Sequence, residues 1–260
     1  ILNVSRSYTI YVPPPPPEYK LFSYGRNYEG QLGLNNTTLR SSPVQVGSLT
    51  EWKQIDGGEN HFLGIKGSGS LWSWGESTYG EGGRGTTTSI SSPVQIGLLI
   101  NWSQVSTGNN HTVAVKTDGT LWTWGYNGNG ELAQGDATDR SSPVQVGALS
   151  TWVSASAGAN HCLALKTDGT LWAWGYNFDG ELGDGTSTTR SSPVQIGGLT
   201  TWTKIAAGNY FSLGLKTDGT LWSWGNNEQG CLGLGDTTLR RSPVQIGAGS
   251  NWSKISASTG

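Results

Sequence analysis

The chain has no methionine, two cysteines, three histidines and little charge: Asp, Glu, Lys and Arg make up 13% of its 260 residues and the formal net charge is −2. Nucleic-acid surfaces and polybasic membrane patches need concentrated Lys and Arg, so neither nucleic-acid binding nor a membrane-surface role is expected. No apolar run approaches the roughly 18 residues of a membrane span, and no segment joins a basic start to an apolar middle. No membrane insertion is therefore expected. Cys162 and Cys231 stand in no CxxC or Cys/His ligand pattern and read as free thiols. Helical periodicity is lacking from end to end, which excludes bundles and α/β folds. With Ile1 first and no Met, the sequence reads as a processed product or an excerpt of a longer polypeptide.

What is abundant is glycine and tryptophan, arranged in a repeat. LFSYG at 21–25 recurs as LWSWG at 71–75, LWTWG at 121–125, LWAWG at 171–175 and LWSWG at 221–225, a period of 50 residues. Ser-Pro-Val-Gln recurs in phase around Pro43, Pro93, Pro143, Pro193 and Pro243, followed by Trp52, Trp102, Trp152, Trp202 and Trp252. These five and the eight of the LWxWG copies account for all 13 tryptophans, leaving none for a separate stacking site.

Each unit reads as four short strands. HTVAVKTDGTLWTW (111–124) alternates apolar and polar residues on both sides of Asp118-Gly119, a hairpin signal because glycine accepts positive φ. PVQVG at 143–147 and WVSAS at 152–156 supply the other two. An all-β array with this period predicts a β-propeller of four-stranded blades. Five blades are expected. The sixth copy breaks off at Gly260, where a strand like HTVAV should follow, and Tyr8-Thr9-Ile10-Tyr11-Val12 matches the missing strand. The expected organisation is thus a strand at 1–12 that completes the last blade, a proline-rich connector at 13–20, and five repeats over 21–260. Closing the ring would protect edges that an open array exposes. The alternative is a fragment of a larger ring. Pro13 to Pro17 read as a stiff spacer rather than as a ligand for proline-reading domains.

The pattern GxNxxGxLGxG, then SSPVQ, then Gly-x-x-His and the DGTLWxWG hairpin resembles the regulator of chromosome condensation repeat. GYNGNGELAQG at 125–135 and GYNFDGELGDG at 175–185 carry it most clearly, and the match runs over 21–260. The resemblance implies a propeller used as an interaction platform. Known relatives include a nucleotide-exchange factor for a nuclear GTPase and a secreted bacterial inhibitor of β-lactamases, so fold does not fix function. The chain departs from the family's common seven blades and shows no basic tail or long insertion.

The chemistry-bearing residues mostly repeat with the blade. His61, His111 and His161 share one position, which reads Phe211 in copy five, and blade packing with a bond to nearby backbone is expected of them rather than catalysis. Asp118, Asp168 and Asp218 are turn carboxylates. Arg40, Arg140, Arg190 and Arg240 recur with Ile90 interrupting the series, and Asp136 and Asp236 are candidate partners. The glycines at 25, 30 and their equivalents precede no helix, so they form no phosphate loop. The sequons at Asn36, Asn101 and Asn251 arise readily in a chain rich in Asn, Ser and Thr.

Residues that differ between copies are not explained by the blade. The four positions after each WG or YG are rich in Tyr, Asn and acids, the composition of recognition loops. They nominate Tyr28, Glu29, Tyr79, Tyr126, Asn129, Tyr176, Phe178, Asp179, Glu228 and Gln229 as a binding face. The resulting expectation is a non-enzymatic module with no catalytic residues, metal or cofactor. It would present this face to a protein or surface glycan within a larger assembly, in an extracellular or virion setting such as a phage fibre or decoration domain. The alternative is an intracellular exchange factor for a small GTPase.

Overall fold

A computed structural model describes residues 20–48 and 50–257. Among them there is no helix, and hence none long and apolar enough to cross a membrane. Strands β1 (Phe22–Gly25) and β2 (Arg40–Gln45) pair as a two-stranded sheet. Four complete sheets follow. They are β3 to β6 (Trp52–Gly57, His61–Lys66, Leu71–Gly75, Ile90–Gln95) and β7 to β10 (Trp102–Thr107, His111–Lys116, Leu121–Gly125, Arg140–Gln145). Then come β11 to β14 (Trp152–Ala157, His161–Lys166, Leu171–Gly175, Arg190–Gln195) and β15 to β18 (Trp202–Ala207, Phe211–Lys216, Leu221–Gly225, Arg240–Gln245). Each is an antiparallel meander, and the sheets form the blades of a β-propeller.

The hairpins form where the alternation and the Asp-Gly signal place them. In the β8–β9 turn the Gly119 amide donates to the Lys116 carbonyl at 3.0 Å, and Gly119 holds φ 77°. The Asp118 carboxylate accepts from the Thr120 amide at 3.0 Å and hydroxyl at 2.6 Å, and Trp122 Nε1 donates to that hydroxyl at 2.8 Å. The outermost strand starts at Arg140, three residues ahead of the expected Pro143, because Arg140 pairs with Gly125 beyond a break in the register. Pro143 is tolerated there because this strand has a free edge that needs no N–H.

Neighbouring blades are joined by two sets of bonds. The second tryptophan of each LWxWG copy is buried and donates its indole N–H to the preceding repeat: Trp74 to Gln31 O, Trp124 to Glu81 O, Trp174 to Glu131 O and Trp224 to Glu181 O, at 2.7 to 2.9 Å. Around Trp174, Val113, Leu121, Trp152, Cys162 and Ala164 form one apolar cluster that spans two blades. At the axis, Gln104 brackets Ala155 with two 3.0 Å bonds to its N–H and C=O, and Gln54 brackets Val105 likewise. Asp56, Ser106 and Ser156 each accept an amide of the next inner strand. These strands and Ile255–Ala257 line one polar channel of about 600 Å³.

Five repeats therefore give four complete blades and the two outer strands of a fifth, in keeping with the expected count. The stretch equivalent to an inner strand, 251–257, is paired into no sheet, and Lys204 Nζ donates to Ser253 O across the last interface. The strand expected at 1–12 and the connector at 13–19 lie outside the described residues.

Candidate functional site

The loops that follow the third strand of each blade stand at one end of the propeller. Gly125 begins its loop at φ 102°, where a Cβ would meet Asn110 O at 2.5 Å, so only glycine permits the turn. The second loop residue is structural. Buried Asn127 donates to Asp136 O and Thr138 O and accepts the Leu132 amide at 2.9 Å. Asn27, Asn177 and Asn227 repeat this clamp, and Ser77 makes a shorter version of it. A buried acid or amide then fixes the fourth residue: Glu81 accepts the Tyr79 amide, Glu131 that of Asn129, Glu181 that of Asp179, and Gln31 that of Glu29. Only the first and third side chains and the tip of the fourth are left for a ligand.

The structure brings several of the nominated residues together across blades. Tyr79 meets Tyr126 edge to face at 5.1 Å between ring centroids, and Asn226 Nδ2 donates to Asp179 Oδ2 at 2.9 Å. Tyr28 is 62% exposed with the Arg26 guanidinium 5.5 Å from its ring centre, and Phe178 is 69% exposed. Glu228 and Gln229 are exposed on the last loop. Asn129 turns its amide inward to Glu131 at 2.8 Å, which makes it a loop brace more than a contact residue. Tyr176 packs against Tyr210 at 6.4 Å, an exposed ring that sequence reasoning missed. The signal was present, since Tyr210 replaces the asparagine of Asn60, Asn110 and Asn160. Glu59 and Glu76 add charge at the same end, Glu76 accepting from Asn60 at 3.0 Å.

Beneath this face lie buried titratable groups. Burial drives the Glu181 carboxyl up to about 7 and raises Glu81 and Glu131 as well. One oxygen of Glu81 and one of Glu181 have no partner. Burial also lowers His61 and His161 to about 3 and His111 to about 4, so all three imidazoles are neutral. The expected bond from these rings to backbone is replaced by one to the next blade's side chain. His111 Nε2 meets Cys162 Sγ at 3.2 Å and His161 Nε2 meets Ser212 Oγ at 2.9 Å, whereas both His61 nitrogens are unpartnered. The reason is register, because position 162 or 212 of the following blade faces the ring and backbone is already paired within the sheet. Among the described residues no three or more His, Cys, Asp or Glu side chains are grouped to hold a metal. Cys162 is a buried free thiol and Cys231 an exposed one.

Three of the four arginines, Arg140, Arg190 and Arg240, behave as the sequence suggests. Arg140 pairs with Asp136 at 2.7 Å and Arg240 with Asp236 at 2.7 Å, while Arg190 takes Asp184 at 2.8 Å.

The model of the Regulator of chromosome condensation (RCC1) repeat matches residues 20–65, 68–115, 118–165, 168–215 and 218–260, and a second model of the same repeat matches 52–81, 102–131, 152–181 and 202–231. Among solved structures, human WBSCR16 is similar at 27% identity and a TM-score of 0.81, over 91% of this chain and 65% of that one. Prp20p from Saccharomyces cerevisiae, in a structure described with its binding properties to Gsp1p and histones, is similar at 23% identity and a TM-score of 0.76, over 88% and 59%. Yeast RCC1 (Prp20) bound to Kap60 is similar at 22% identity and a TM-score of 0.77, over 87% and 57%. The chain thus spans between 57% and 65% of the length of these relatives. No curated protein sequence matches it. Five family matches in phase with five structural repeats carry one conclusion: the chain belongs to the regulator of chromosome condensation repeat family.

Proposed function

We propose that the chain is a non-enzymatic protein-docking propeller whose loop face takes a basic protein surface. One observation carries this reading. Tyr28, Tyr79, Tyr126, Tyr176 and Phe178 stand at the same end as Glu29, Glu59, Glu76, Asp179 and Glu228, while Arg140, Arg190 and Arg240 at that end are paired with Asp136, Asp184 and Asp236, leaving Arg26, Arg40 and Arg241 as cations there. Aromatic rings supply contact area at low entropy cost, and an acidic field steers and selects a cationic partner. The yeast relative described as binding Gsp1p and histones supports protein ligands, a strongly basic class among them.

The family match favours an intracellular regulator, with guanine-nucleotide exchange on a small GTPase as the form that docking takes, over a display role. A virion or extracellular setting and a glycan partner draw no support from these relatives. The test mixes the full chain with a panel of small GTPases loaded with fluorescent GDP. Accelerated release that disappears in the Tyr126→Ala, Tyr176→Ala, Phe178→Ala triple variant is expected, with a melt within about 3 °C of the parent. Acceleration retained by that variant overturns the loop face as the docking surface, and neither binding nor release across the panel overturns the exchange reading.

A further inference from the structure

The arginine series has an exception in copy two. Where the other copies hold Arg40, Arg140, Arg190 and Arg240, copy two has Ile90, and a guanidinium arrives instead from Arg84, six residues earlier. Arg84 donates to Thr88 O at 2.6 Å, the carbonyl equivalent to Thr138 O and Thr238 O, which receive Arg140 and Arg240. A second bond runs to Ser73 Oγ at 2.7 Å. Arg84 thus ties down the same loop from a different place. Its charge, however, lacks a contact ion pair, and buried Glu81 acts on it only at a distance. Thr86 stands where Asp136 and Asp236 supply carboxylates, and among the described residues Arg84 makes no ion pair. Of the five N–H donors of a guanidinium, two are used and three remain.

Arg84 lines a cleft of about 300 Å³ between the second and third sheets, together with Lys116, Ile96, Leu99, Trp102 and Trp122. The Lys116 ammonium lies 3.5 Å from the centre of the Trp122 ring and 4.6 Å from that of Trp102, and it too makes no ion pair among the described residues. Indole faces attract a cation but leave its charge unneutralised. Two cations with no contact ion pair, acted on only at a distance by Glu81 and Asp118, therefore share a cleft whose remaining walls are largely apolar. The equivalent cleft two repeats later, of about 310 Å³, keeps Lys216, Trp202 and Trp222 but has Asp184 in place of Arg84. That cleft carries one charge of each sign. Lys116 ends the strand that His111 begins, about 17 Å from the loop face, and Arg84 reaches the cleft from the loop between β5 and β6.

We propose that the copy-two cleft binds a small organic carboxylate, its anion held by Arg84 and Lys116 and its apolar body laid against Ile96, Leu99 and Trp122. A guanidinium fork with free donors suits a planar carboxylate, and the apolar walls exclude a fully hydrated anion. The volume sits at the small end of the range for ligand clefts, roughly the size of an aromatic acid.

The test is calorimetric titration of the full chain with phenylacetate, and separately with inorganic phosphate. One phenylacetate per chain is expected, with phosphate at least about tenfold weaker. Arg84→Leu is expected to weaken phenylacetate at least about tenfold. Leu34 and Leu234 occupy that position in copies one and five, and the Arg84→Leu, Ile90→Arg double variant restores the loop tie from its usual place while emptying the cleft of a charge. Asp184→Arg with Arg190→Ile transplants the copy-two pair into copy four and is expected to raise the stoichiometry to two. Affinity unchanged in both Arg84 variants, phosphate binding as tightly as phenylacetate, or no saturation by phenylacetate below about 10 mM would each overturn the assignment.

Discussion

At the scale of single residues, most of the polar side chains that look chemical hold loops and blades in place, and the exceptions lie where copies differ. Glu181 is the clearest case. Its carboxyl titrates near 7 in the fold against 4.5 in an exposed chain, because burial disfavours the charge. A folded carboxyl with a raised value binds the proton more tightly than the unfolded chain does, so stability falls as pH rises from about 4.5 through about 7. Glu181→Gln should therefore raise the melting temperature at pH 8 and leave it nearly unchanged at pH 4. Gln31 already fills the equivalent place and accepts the Glu29 amide at 2.9 Å, so the variant should fit. Melts at both pH values check this, and a parallel rise at pH 4 would contradict it. The histidines act with the opposite sign. Their folded values of about 3 to 4 lie below the ordinary 6.5, so the stability they carry is present above 6.5 and is lost as pH falls toward those values.

At the scale of elements, the unit of stability is the interface between blades. Trp174 is fully buried and its indole N–H is bonded across that interface. Trp174→Ala should cost about 3 to 5 kcal/mol by removing packing, and Trp174→Phe should leave Glu131 O with only the weak Cys162 thiol donor. Chemical denaturation of the two variants separates packing from the hydrogen bond, and equal, small losses would show the interface to be dispensable. The strands and turns behind it were legible in the sequence because a period of two residues and an Asp-Gly turn act locally. The loop face was legible only as a set of unshared residues. That Tyr79 touches Tyr126, or that Tyr210 joins Tyr176, depends on how adjacent blades are offset, and a single strand pattern carries no information about that offset. The half-buried cleft charge of Arg84 was hidden for the same reason, since its missing partner is visible only beside the intact Arg140–Asp136 pair.

At the scale of the whole molecule, each repeat of the sequence supplies the outer half of one blade and the inner half of the next. β1 and β2 therefore begin the array as a half blade, and Ile255–Ala257 bring the inner part of another to the channel. The end faces show it. Tyr24 is 66% exposed where Trp74, Trp124, Trp174 and Trp224 are buried, and Cys231 is exposed where Glu81, Glu131 and Glu181 are buried. Closure by the strand at 1–12 remains our proposal. Deleting residues 1–12 should lower the melting temperature by about 10 °C, and an unchanged melt would contradict closure. Thiol labelling offers a second reading: Cys162 should react only on unfolding, while protection of Cys231 in the native protein would show its face covered.

The identical length of the repeats also has a mechanical meaning. Successive interfaces use the same indole-to-carbonyl bond, while the glutamine clamp at the axis is confined to Gln54 and Gln104. Pulled from its ends, such a chain would release its contour in equal steps of roughly 170 Å, one repeat of 50 residues at a time.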